Sequence, residues 1–447
     1  MFRRAAITFI LAAACLAQDK PQTDIVARMD QVVQSHVPSK QFMGAVLVAQ
    51  DGKVLFDKGY GFANLEWEVP NTPTTKFRLG SITKQFTAAS ILLLEERGKL
   101  KVDDPVKKYL PDSPAAWDKI TIFHLLTHTS GIPSFTSFPD YASTEATPTT
   151  PEKLVARFRD KPLEFEPGEK WNYSNSGYVL LGYLLEKISG QSYSDFVQQN
   201  IFTPLGMKDS GYDSNSAILP RRAAGYSRSP NGPVNTGYID MTIPFSAGAL
   251  YSTTEDLLRW EQGLFGGKVV SAASLAKMTT PFKQDYAFGL GVQTKNGHKV
   301  IEHGGGIEGF NTQLSFYPDD KLVVVVLANL NGPFAAQIAA NLASVAHGEK
   351  VVLTSERKEI TVSPKVLAQY VGTYELTPNF SITVTLENDH LMTQATNQQK
   401  LPLFAESETL FFLKVVDAQV EFVKDGKGQV ASLVLHQNGR DTKGVKK

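Results

Sequence analysis

Residues 81–97 read SITKQFTAASILLLEER, and no other run in the chain is as informative. From Phe86 to Leu94 the residues are apolar around almost the whole circumference of a helix, and Gly98 follows as a stop signal. A helix that is apolar on all sides must be surrounded by other elements. We therefore predict a buried helix from Ser81 to about Arg97, around which a large domain is built.

Strand patterns lie on both sides of this helix. Phe42 to Ala49 and Lys53 to Phe56 flank Asp51-Gly52, which is a two-residue hairpin signal. Further patterns predict strands at 291–293, 312–317 and 322–328, and helices at 121–126, 151–160, 175–189, 254–264 and 333–346. Strands at both ends with helices between them indicate an α+β fold, in which a helical subdomain is inserted into one antiparallel sheet.

The end of the chain has a different character. The charged segment from Lys350 to Lys365 resembles a linker, and short alternating runs follow at roughly ten-residue spacing, with an Asp425-Gly426 turn between two of them. This spacing predicts a small all-β barrel or sandwich. The predicted organisation is a main domain at 24–349, a linker at 350–365 and a β-domain at 366–447.

Composition excludes several classes of function. The 447 residues contain 45 Lys and Arg against 45 Asp and Glu, interspersed along the chain, so no basic face is available for nucleic acid. Cys15 is the only cysteine, which excludes a disulfide and a cysteine metal site in the mature fold. We predict no metal and no cofactor, and a small-molecule or peptide substrate.

The first residues carry an export pattern. Met1-Phe2-Arg3-Arg4 precedes the apolar run from Ala5 to Ala14, which predicts a signal peptide at 1–17 and a periplasmic or secreted protein. Cleavage after Ala17 is favoured over lipidation of Cys15, because Ala12 stands where a lipidation motif usually has Leu. A membrane contact is expected only if Cys15 is lipidated, since no later apolar stretch reaches the length of about 18 residues that spans a bilayer.

Ser81 and Lys84 are the first candidate catalytic pair. Residues three apart on a helix share a face, so the hydroxyl and the amine can exchange a proton. Burial lowers the pKa of a lysine, which lets it act as a base toward serine, and the helix start offers free N–H groups to a developing oxyanion. Two further Ser-x-x-Lys motifs, at Ser274 and Ser355, lack the buried setting, and an N-capping serine is the alternative interpretation of Ser81.

Two more segments supply candidate groups. Tyr173-Ser174-Asn175 is the only Tyr-x-Asn motif among fifteen tyrosines; the phenol can handle a proton and the amide can hold a substrate carbonyl or the lysine. Between candidate strands, His303 precedes Gly304-Gly305-Gly306, where glycines admit a substrate backbone and an N–H group can complete an oxyanion hole. A core tyrosine and a tight turn are the alternatives. His-Gly-Gly-Gly also occurs in lipases, but this chain has no Gly-x-Ser-x-Gly elbow.

With these motifs, the sequence resembles the serine β-lactamase and D-Ala-D-Ala peptidase superfamily, in its class C-like branch with D-aminopeptidases and family VIII esterases. The resemblance covers about residues 42–346, and the segment after Tyr370 resembles the lipocalin-like domain of some of these peptidases. Its supporting segments are Gly80 to Thr87, Leu125 to Ile132, Phe165 to Gly168, Pro204 to Met207, Ser246 to Gly248 and Gly289 to Gly291.

The resemblance implies a role for each candidate. Ser81 would be acylated, Lys84 and Tyr173 would share the base and acid duties, and Asn175 would orient the substrate amide. The N–H groups of Ser81 and Gly306 would form the oxyanion hole, with Gly305 beside them. Which of Lys84 and Tyr173 takes the first proton stays open.

His303 departs from the Lys-Thr-Gly of many relatives. A neutral histidine cannot attract a substrate carboxylate as a lysine does, so β-lactam hydrolysis and removal of a C-terminal D-alanine are disfavoured. The function predicted is therefore an exported serine hydrolase that acts through an acyl-enzyme on small peptides, D-amino-acid amides or esters. A class C-like β-lactamase and a non-enzymatic module that binds cell-wall fragments are the alternatives.

Overall fold

The computed structural model describes residues 20–38, 40–416, 418–437 and 440–447, so the predicted signal peptide and Cys15 lie outside the described residues. A single 3-10 turn at Gly80–Ile82 leads directly into the α-helix Thr83–Glu96. Every residue from Thr83 to Leu94 is buried, which confirms the predicted core helix. We call Thr83–Glu96 the core helix below.

The main sheet has six antiparallel strands and unites the two ends of the domain. Along the sheet the order is Gly291–Lys295, His298–Ile307, Phe310–Tyr317, Leu322–Ala328, Gly44–Gln50 and Lys53–Tyr60. The N-terminal hairpin therefore pairs with the last strand of the domain, through partners such as Val46 and Val326. This arrangement confirms the predicted α+β fold.

The central strands are buried on both faces, because side chains alternate along a strand. In Gly44–Gln50, Ala45, Leu47 and Ala49 pack toward the core helix, whereas Val46 and Val48 pack on the opposite face. The opposite face is covered by the helices Lys20–Gln34 and Phe334–Ala346. The sheet is thus the middle of three layers, and the core helix lies between it and the helical subdomain.

The helical subdomain covers the other side of the core helix, and Asn175–Ser189 is its longest helix. Ser174 caps that helix by accepting a hydrogen bond from the Gly177 N–H, and Gly190 ends it in the left-handed conformation. The other α-helices between the two halves of the sheet are Ile122–Leu126, Tyr141–Thr144, Pro151–Arg159, Tyr193–Val197, Thr203–Leu205, Phe245–Gly248, Thr254–Phe265 and Ala272–Met278, with a π-helix at Gln198–Phe202 and 3-10 turns at Val106–Lys108, Ala115–Trp117 and Phe135–Ser137.

Short strands brace the subdomain against the sheet. Leu250–Ser252 pairs with both Phe77–Arg78 and Gly211–Tyr212. The remaining pairs are Phe62–Asn64 with Val69–Pro70 and Tyr226–Ser229 with Gly232–Asn235.

The C-terminal domain is a nine-stranded antiparallel, barrel-like sheet, as predicted. Its strand order is Leu401–Pro402, His390–Ala395, Phe380–Glu387, Gly372–Thr377, Arg440–Lys446, Val430–Gln437, Ala418–Lys424, Leu410–Phe412 and Phe404–Ala405. Its interior is filled by alternating residues such as Tyr374, Val384 and Phe422. The last strand, Arg440–Lys446, was not predicted, because its many polar residues mask the alternation.

The segment between the two domains contacts both of them. Glu356, in the 3-10 turn Thr354–Glu356, forms an ion pair with Arg28 of the first helix, and the Ile360 N–H donates to the Ala405 carbonyl in the barrel. The helices Pro364–Leu367 and Ala368–Tyr370, the second a 3-10 turn, lead into the barrel. Among the described residues, no helix combines the length and the apolar character needed to cross a membrane.

One prediction about the active-site region was wrong. Residues 301–306 were expected between strands, but they belong to the ten-residue strand His298–Ile307, paired on both sides. Glycine disfavours strands because it has no side chain to pack, so three in succession predict a break. Here pairing with Phe310–Tyr317 holds the glycines extended, whereas Gly291–Lys295 pairs only with the first half of the strand, up to Glu302.

Candidate active site

Ser81 lies where the core helix meets the strand His298–Ile307. Gly80, directly before it, has a φ of +55°, and a Cβ atom at this position would lie 2.9 Å from the Gly306 nitrogen. Because only glycine has this conformational freedom without a side chain, it allows the backbone of the nucleophile's turn to approach the Gly306 backbone closely. The N–H groups of Ser81 and Gly306, the two predicted oxyanion donors, therefore belong to adjoining segments.

Lys84 lies one turn along the helix from Ser81 and is completely buried. Its Nζ atom is 3.0 Å from Ser81 Oγ, 2.8 Å from Asn175 Oδ1 and 2.9 Å from the Ala247 carbonyl oxygen. Burial without a carboxylate partner lowers the pKa of Lys84 well below that of an exposed lysine. The amine is thus held against the serine hydroxyl in surroundings that favour its neutral form.

Tyr173 and Asn175 approach the pair from the start of the helix Asn175–Ser189. Lys84 Nζ lies over the Tyr173 ring, 4.8 Å from its centroid. Burial raises the pKa of the Tyr173 phenol well above its usual range, and a hydrogen bond with Ser81 acts in the opposite direction. Asn175 contacts the lysine, and its Nδ2 donates to Thr136 Oγ1. Of the two uses expected for this amide, holding the lysine is the one that the structure contains.

The surroundings of Gly305 exclude a side chain, whereas those of Gly306 leave room for a Cβ atom. A Cβ atom on Gly305 would lie 1.9 Å from the Leu79 carbonyl oxygen, which also accepts a hydrogen bond from Thr312. Gly305 therefore allows the strand to pack against the residues just before the nucleophile. A Cβ atom on Gly306 would meet only the Asn311 amide, at 3.4 Å, and Gly306 lines the cavity beside Ser81.

His303 is linked to His128 through one phenol. Tyr286 Oη lies 3.0 Å from His303 Nε2 and 3.1 Å from His128 Nε2. His128 Nδ1 accepts from the Ser174 N–H, and His303 Nδ1 faces the Gly304 carbonyl oxygen. A backbone N–H can only donate and a carbonyl can only accept. Neutral His128 therefore donates from Nε2 to Tyr286, and Tyr286 donates to Nε2 of neutral His303.

This hydrogen-bonded chain lies directly behind Tyr173. The rings of His128 and Tyr173 are 4.3 Å apart at their centroids. His128 has a φ of +57°, a conformation that a non-glycine residue rarely adopts without a packing reason. Burial is the main cause that lowers the pKa of His303 to about 4, and the charge of Lys84 is the second cause. Burial also lowers the pKa of His128 well below its usual value. Both imidazoles are therefore neutral at pH 7.

Sequence analysis did not identify His128 or Tyr286 as members of the site. His128 belongs to the quoted segment from Leu125 to Ile132, but nothing in that segment indicates which residue it contacts. Tyr286 comes shortly before Gly289, whose φ of +70° places its backbone against the Lys84 carbonyl. The role of His128 and Tyr286 can be recognised only in the folded structure, where their side chains contact each other.

We predict that Tyr286→Phe weakens both the fold and the chemistry. The change removes the oxygen that both imidazoles contact, and a buried polar group without a partner costs about 1–3 kcal/mol. We expect a lower melting temperature and a turnover number reduced about tenfold, consistent with a loss near 1.4 kcal/mol, with KM little changed. Steady-state kinetics and thermal melting test this, with the exposed Tyr238→Phe as control; equal behaviour of the two variants would contradict it.

A cavity of about 170 Å³ opens beside Ser81. Besides Ser81, its lining combines polar and apolar residues, with one acidic side chain: Gly80, Phe135, Thr136, Tyr141, Asn175, Ile239, Pro244, Ala247, Gly248, Gly306, Ile307 and Glu308. Oε2 of Glu308 is buried and has no hydrogen-bond partner. Burial and, as the second cause, the negative charge of Glu308 raise the pKa values of Tyr141 and Glu145. The electrostatic potential at this wall of the cavity is therefore negative.

The other two Ser-x-x-Lys motifs form no comparable pair. Lys277 forms an ion pair with Glu95 at 2.9 Å, and its partner Ser274 lies in the short helix Ala272–Met278. Ser355 lies in an exposed 3-10 turn of the linker. Only Ser81 therefore meets a buried lysine among the three motifs, as predicted.

Two known families match successive parts of the chain. Residues 29–347 match the family described as Beta-lactamase, and residues 356–446 match a domain of unknown function (DUF3471). Over 435 residues the chain is 31% identical to "Penicillin-binding protein 4*" of Bacillus subtilis, covering 91% of this chain and 95% of that protein.

Solved structures resemble the chain too. An octameric penicillin-binding protein homologue from Pyrococcus abyssi superposes with a TM-score of 0.67 at 27% identity, covering 94% of this chain and 100% of that one. A D-stereospecific amidohydrolase from a Streptomyces species superposes with a TM-score of 0.63 at 27% identity, covering 73% and 99%. The chain thus belongs to the β-lactamase superfamily of serine hydrolases, with penicillin-binding protein homologues among its relatives.

Proposed function

We propose that this protein hydrolyses amides or esters of small D-amino acids and short peptides that carry a free amino group, through an acyl-enzyme on Ser81. The observation that carries the proposal is the contact of the buried Lys84 amine with the Ser81 hydroxyl. The D-stereospecific amidohydrolase among the similar structures supports the substrate class.

The partners of Lys84 support its assignment as the first base. Asn175 Oδ1 and the Ala247 carbonyl can only accept hydrogen bonds, so a neutral amine gives both its N–H groups to them. The lone pair then faces Ser81 Oγ at 3.0 Å, where it can take the hydroxyl proton during attack. A protonated amine would instead donate to Ser81 and suppress its nucleophilicity.

Tyr173 would complete the proton transfer. Its phenol stays protonated at neutral pH because burial raises its pKa, so it can donate a proton to the leaving amine or alkoxide. The proton removed from Ser81 passes through Lys84 to the phenol. In deacylation the same groups would take a proton from the attacking water and return it to Ser81 Oγ as the acyl group leaves, which restores the starting state. The N–H groups of Ser81 and Gly306 would stabilise the tetrahedral oxyanion.

The cavity suits a small acyl group with a positive charge. A volume of about 170 Å³ corresponds to about five or six water molecules at 30 Å³ each, which is enough for a small amino-acid residue. The Glu308 carboxylate in its wall would accept a hydrogen bond from a substrate ammonium group. Arg157, whose charge acts on Tyr141 in the opposite direction to that of Glu308, forms an ion pair with Asp140 at 3.1 Å.

His303 opposes the alternative of a β-lactamase. A pKa of about 4 leaves this imidazole neutral at pH 7, and Tyr286 and the Gly304 carbonyl already engage both of its nitrogens. The position that could attract a substrate carboxylate therefore carries no charge. A substrate that depends on carboxylate recognition would bind weakly here.

We predict that Glu308→Gln selectively weakens cationic substrates. For D-alanine p-nitroanilide we expect kcat/KM to fall about 10–100-fold, equivalent to the 1.5–3 kcal/mol of a charged hydrogen bond. The N-acetylated compound has no ammonium group and should be cleaved equally by both enzymes. Glu145→Gln is the control for loss of one negative charge nearby.

Three outcomes would contradict the proposal. An equal effect of Glu308→Gln on both substrates would assign Glu308 a structural role. Rapid nitrocefin hydrolysis together with weak anilide hydrolysis would favour the β-lactamase. Ligand binding without hydrolysis of any ester or anilide would favour a non-enzymatic module.

Export is part of the proposal. The charged start and apolar run within residues 1–17 support secretion, and substrates derived from the cell wall would be met outside the cytoplasm. The mass of the mature N-terminus would distinguish cleavage after Ala17 from lipidation of Cys15.

A further inference from the structure

Four potential metal ligands meet at the end of the main sheet away from the oxyanion segment. His298 begins the strand His298–Ile307, and Asp320 lies in the turn before Leu322–Ala328. His347 and Glu349 follow directly after the helix Phe334–Ala346. Since a strand rises about 3.3 Å per residue, the eight residues from His298 to Gly306 place this cluster about 26 Å from the oxyanion segment.

Three of these four residues have ligand atoms that lie close enough to share one ion. One atom each from His298, His347 and Glu349 lies within 4.8 Å of the others. Nε2 of His347 is 2.8 Å from Asp320 Oδ2, and Nε2 of His298 is 3.3 Å from Glu349 Oε1. Two ligands bound to one Zn²⁺ at 2.0–2.1 Å are separated by about 3.0–3.5 Å, so small side-chain rotations are sufficient.

An unsatisfied atom in the cluster points to a missing ligand. The His347 side chain is only 4% exposed, and its Nε2 lies 2.8 Å from Asp320 Oδ2. Oδ1 of the same carboxylate is buried without a hydrogen-bond partner. Native structures rarely leave such an atom unmatched. A cation bound beside Asp320 would satisfy it.

Neighbouring side chains orient one of the proposed ligands by hydrogen bonds, as is usual around metal sites. Ser344 and Asn296 both donate to Oε2 of Glu349, which orients the carboxylate and leaves Oε1 toward His298. Within the described residues, Asp320 and Glu349 form ion pairs only with the two histidines.

We propose that His298, His347 and Glu349 bind one divalent transition-metal ion beside Asp320, with Zn²⁺ as the preferred species. Two imidazoles and a carboxylate form a donor set that suits Zn²⁺ better than Ca²⁺ or Mg²⁺, which prefer oxygen ligands. The ion would join the hairpin turn at His298 to the end of the last helix of the domain. Its role would be structural, at the point where the chain enters the linker to the barrel.

The test uses the full-length protein after treatment with a chelator. Calorimetric titration with ZnCl₂ should give one Zn²⁺ per chain, and saturation should raise the melting temperature by about 2–5 °C. His298→Gln and Glu349→Gln, which change partly exposed side chains, should each raise Kd at least about tenfold and abolish the thermal shift. Co²⁺ should give visible d–d absorption in the wild type and lose it in both variants.

A matched control is available in the barrel. His436 also lies between two carboxylates, Asp441 at 2.7 Å and Glu421 at 3.4 Å, but has no second histidine beside it. His436→Gln should leave stoichiometry and Kd unchanged. The proposal is overturned if Zn²⁺ does not bind at up to 100-fold molar excess, or if binding survives both His298→Gln and Glu349→Gln. None of these measurements depends on catalysis, so they are independent of the proposed function.

Discussion

Replacement of Ser81 by alanine is expected to reduce kcat by about 10⁴–10⁶-fold for every substrate that the wild type cleaves. The hydroxyl is the one group near the cavity that both contacts a buried amine and lies beside two candidate oxyanion donors. Without it no acyl-enzyme can form. The change should not disturb folding, because Ser81 is partly exposed and removal of its oxygen creates no internal void.

Covalent labelling gives the most direct measurement. Intact mass analysis with a fluorophosphonate probe should show one adduct on the wild type and none on Ser81→Ala. Ser355→Ala provides the matched control, because it removes the serine of another Ser-x-x-Lys motif at an exposed position. Undiminished labelling of Ser81→Ala would place the nucleophile elsewhere.

Replacement of Lys84 by arginine is expected to reduce kcat by about 10²–10⁴-fold, the contribution of a general base. Arginine keeps a positive charge but does not lose its proton at accessible pH, so it cannot accept the proton of Ser81. Lys84→Met should be similarly inactive. If Lys84 acted only as a cation, Lys84→Arg would retain far more activity than Lys84→Met, and that outcome would contradict the assignment.

The pH profile provides a second measurement on the same residue. Activity requires the neutral amine, so kcat/KM should rise with pH through the pKa of Lys84 and then level off. Because burial lowers this pKa well below 10.5, the plateau should begin well below the pH at which an exposed lysine loses its proton. The melting temperatures of both variants should be measured as well, because Asn175 Oδ1 and the Ala247 carbonyl lose a buried donor in Lys84→Met.

Local sequence patterns were sufficient to predict much of the fold. The segment from Phe86 to Leu94, which is apolar around almost the whole helix, predicted a buried helix because both helical period and burial can be inferred from consecutive residues. The Asp51-Gly52 turn predicted the first hairpin for the same reason. The predicted helix at 175–189 coincides with Asn175–Ser189, whose capping serine and terminal glycine are local signals.

Elements whose stability comes from distant partners were missed or misplaced. The helix Lys20–Gln34 lies within a largely polar stretch, and its Met29, Val32 and Val33 become a recognisable face only against the sheet. The glycines of the strand His298–Ile307 are extended because they pair with the strand Phe310–Tyr317. Arg440–Lys446 closes the barrel between two other strands for a similar reason.

The sequence by itself determined the identity of the candidate reactive groups, because Ser81 and Lys84 share a helix and their relative position follows from helical geometry. Tertiary structure alone decided which acceptors surround the lysine, that Tyr286 joins His128 to His303, and that Glu308 faces the cavity. These residues come from separate segments of the chain. Their distances depend on how the sheet and helices pack, and no local pattern encodes such packing.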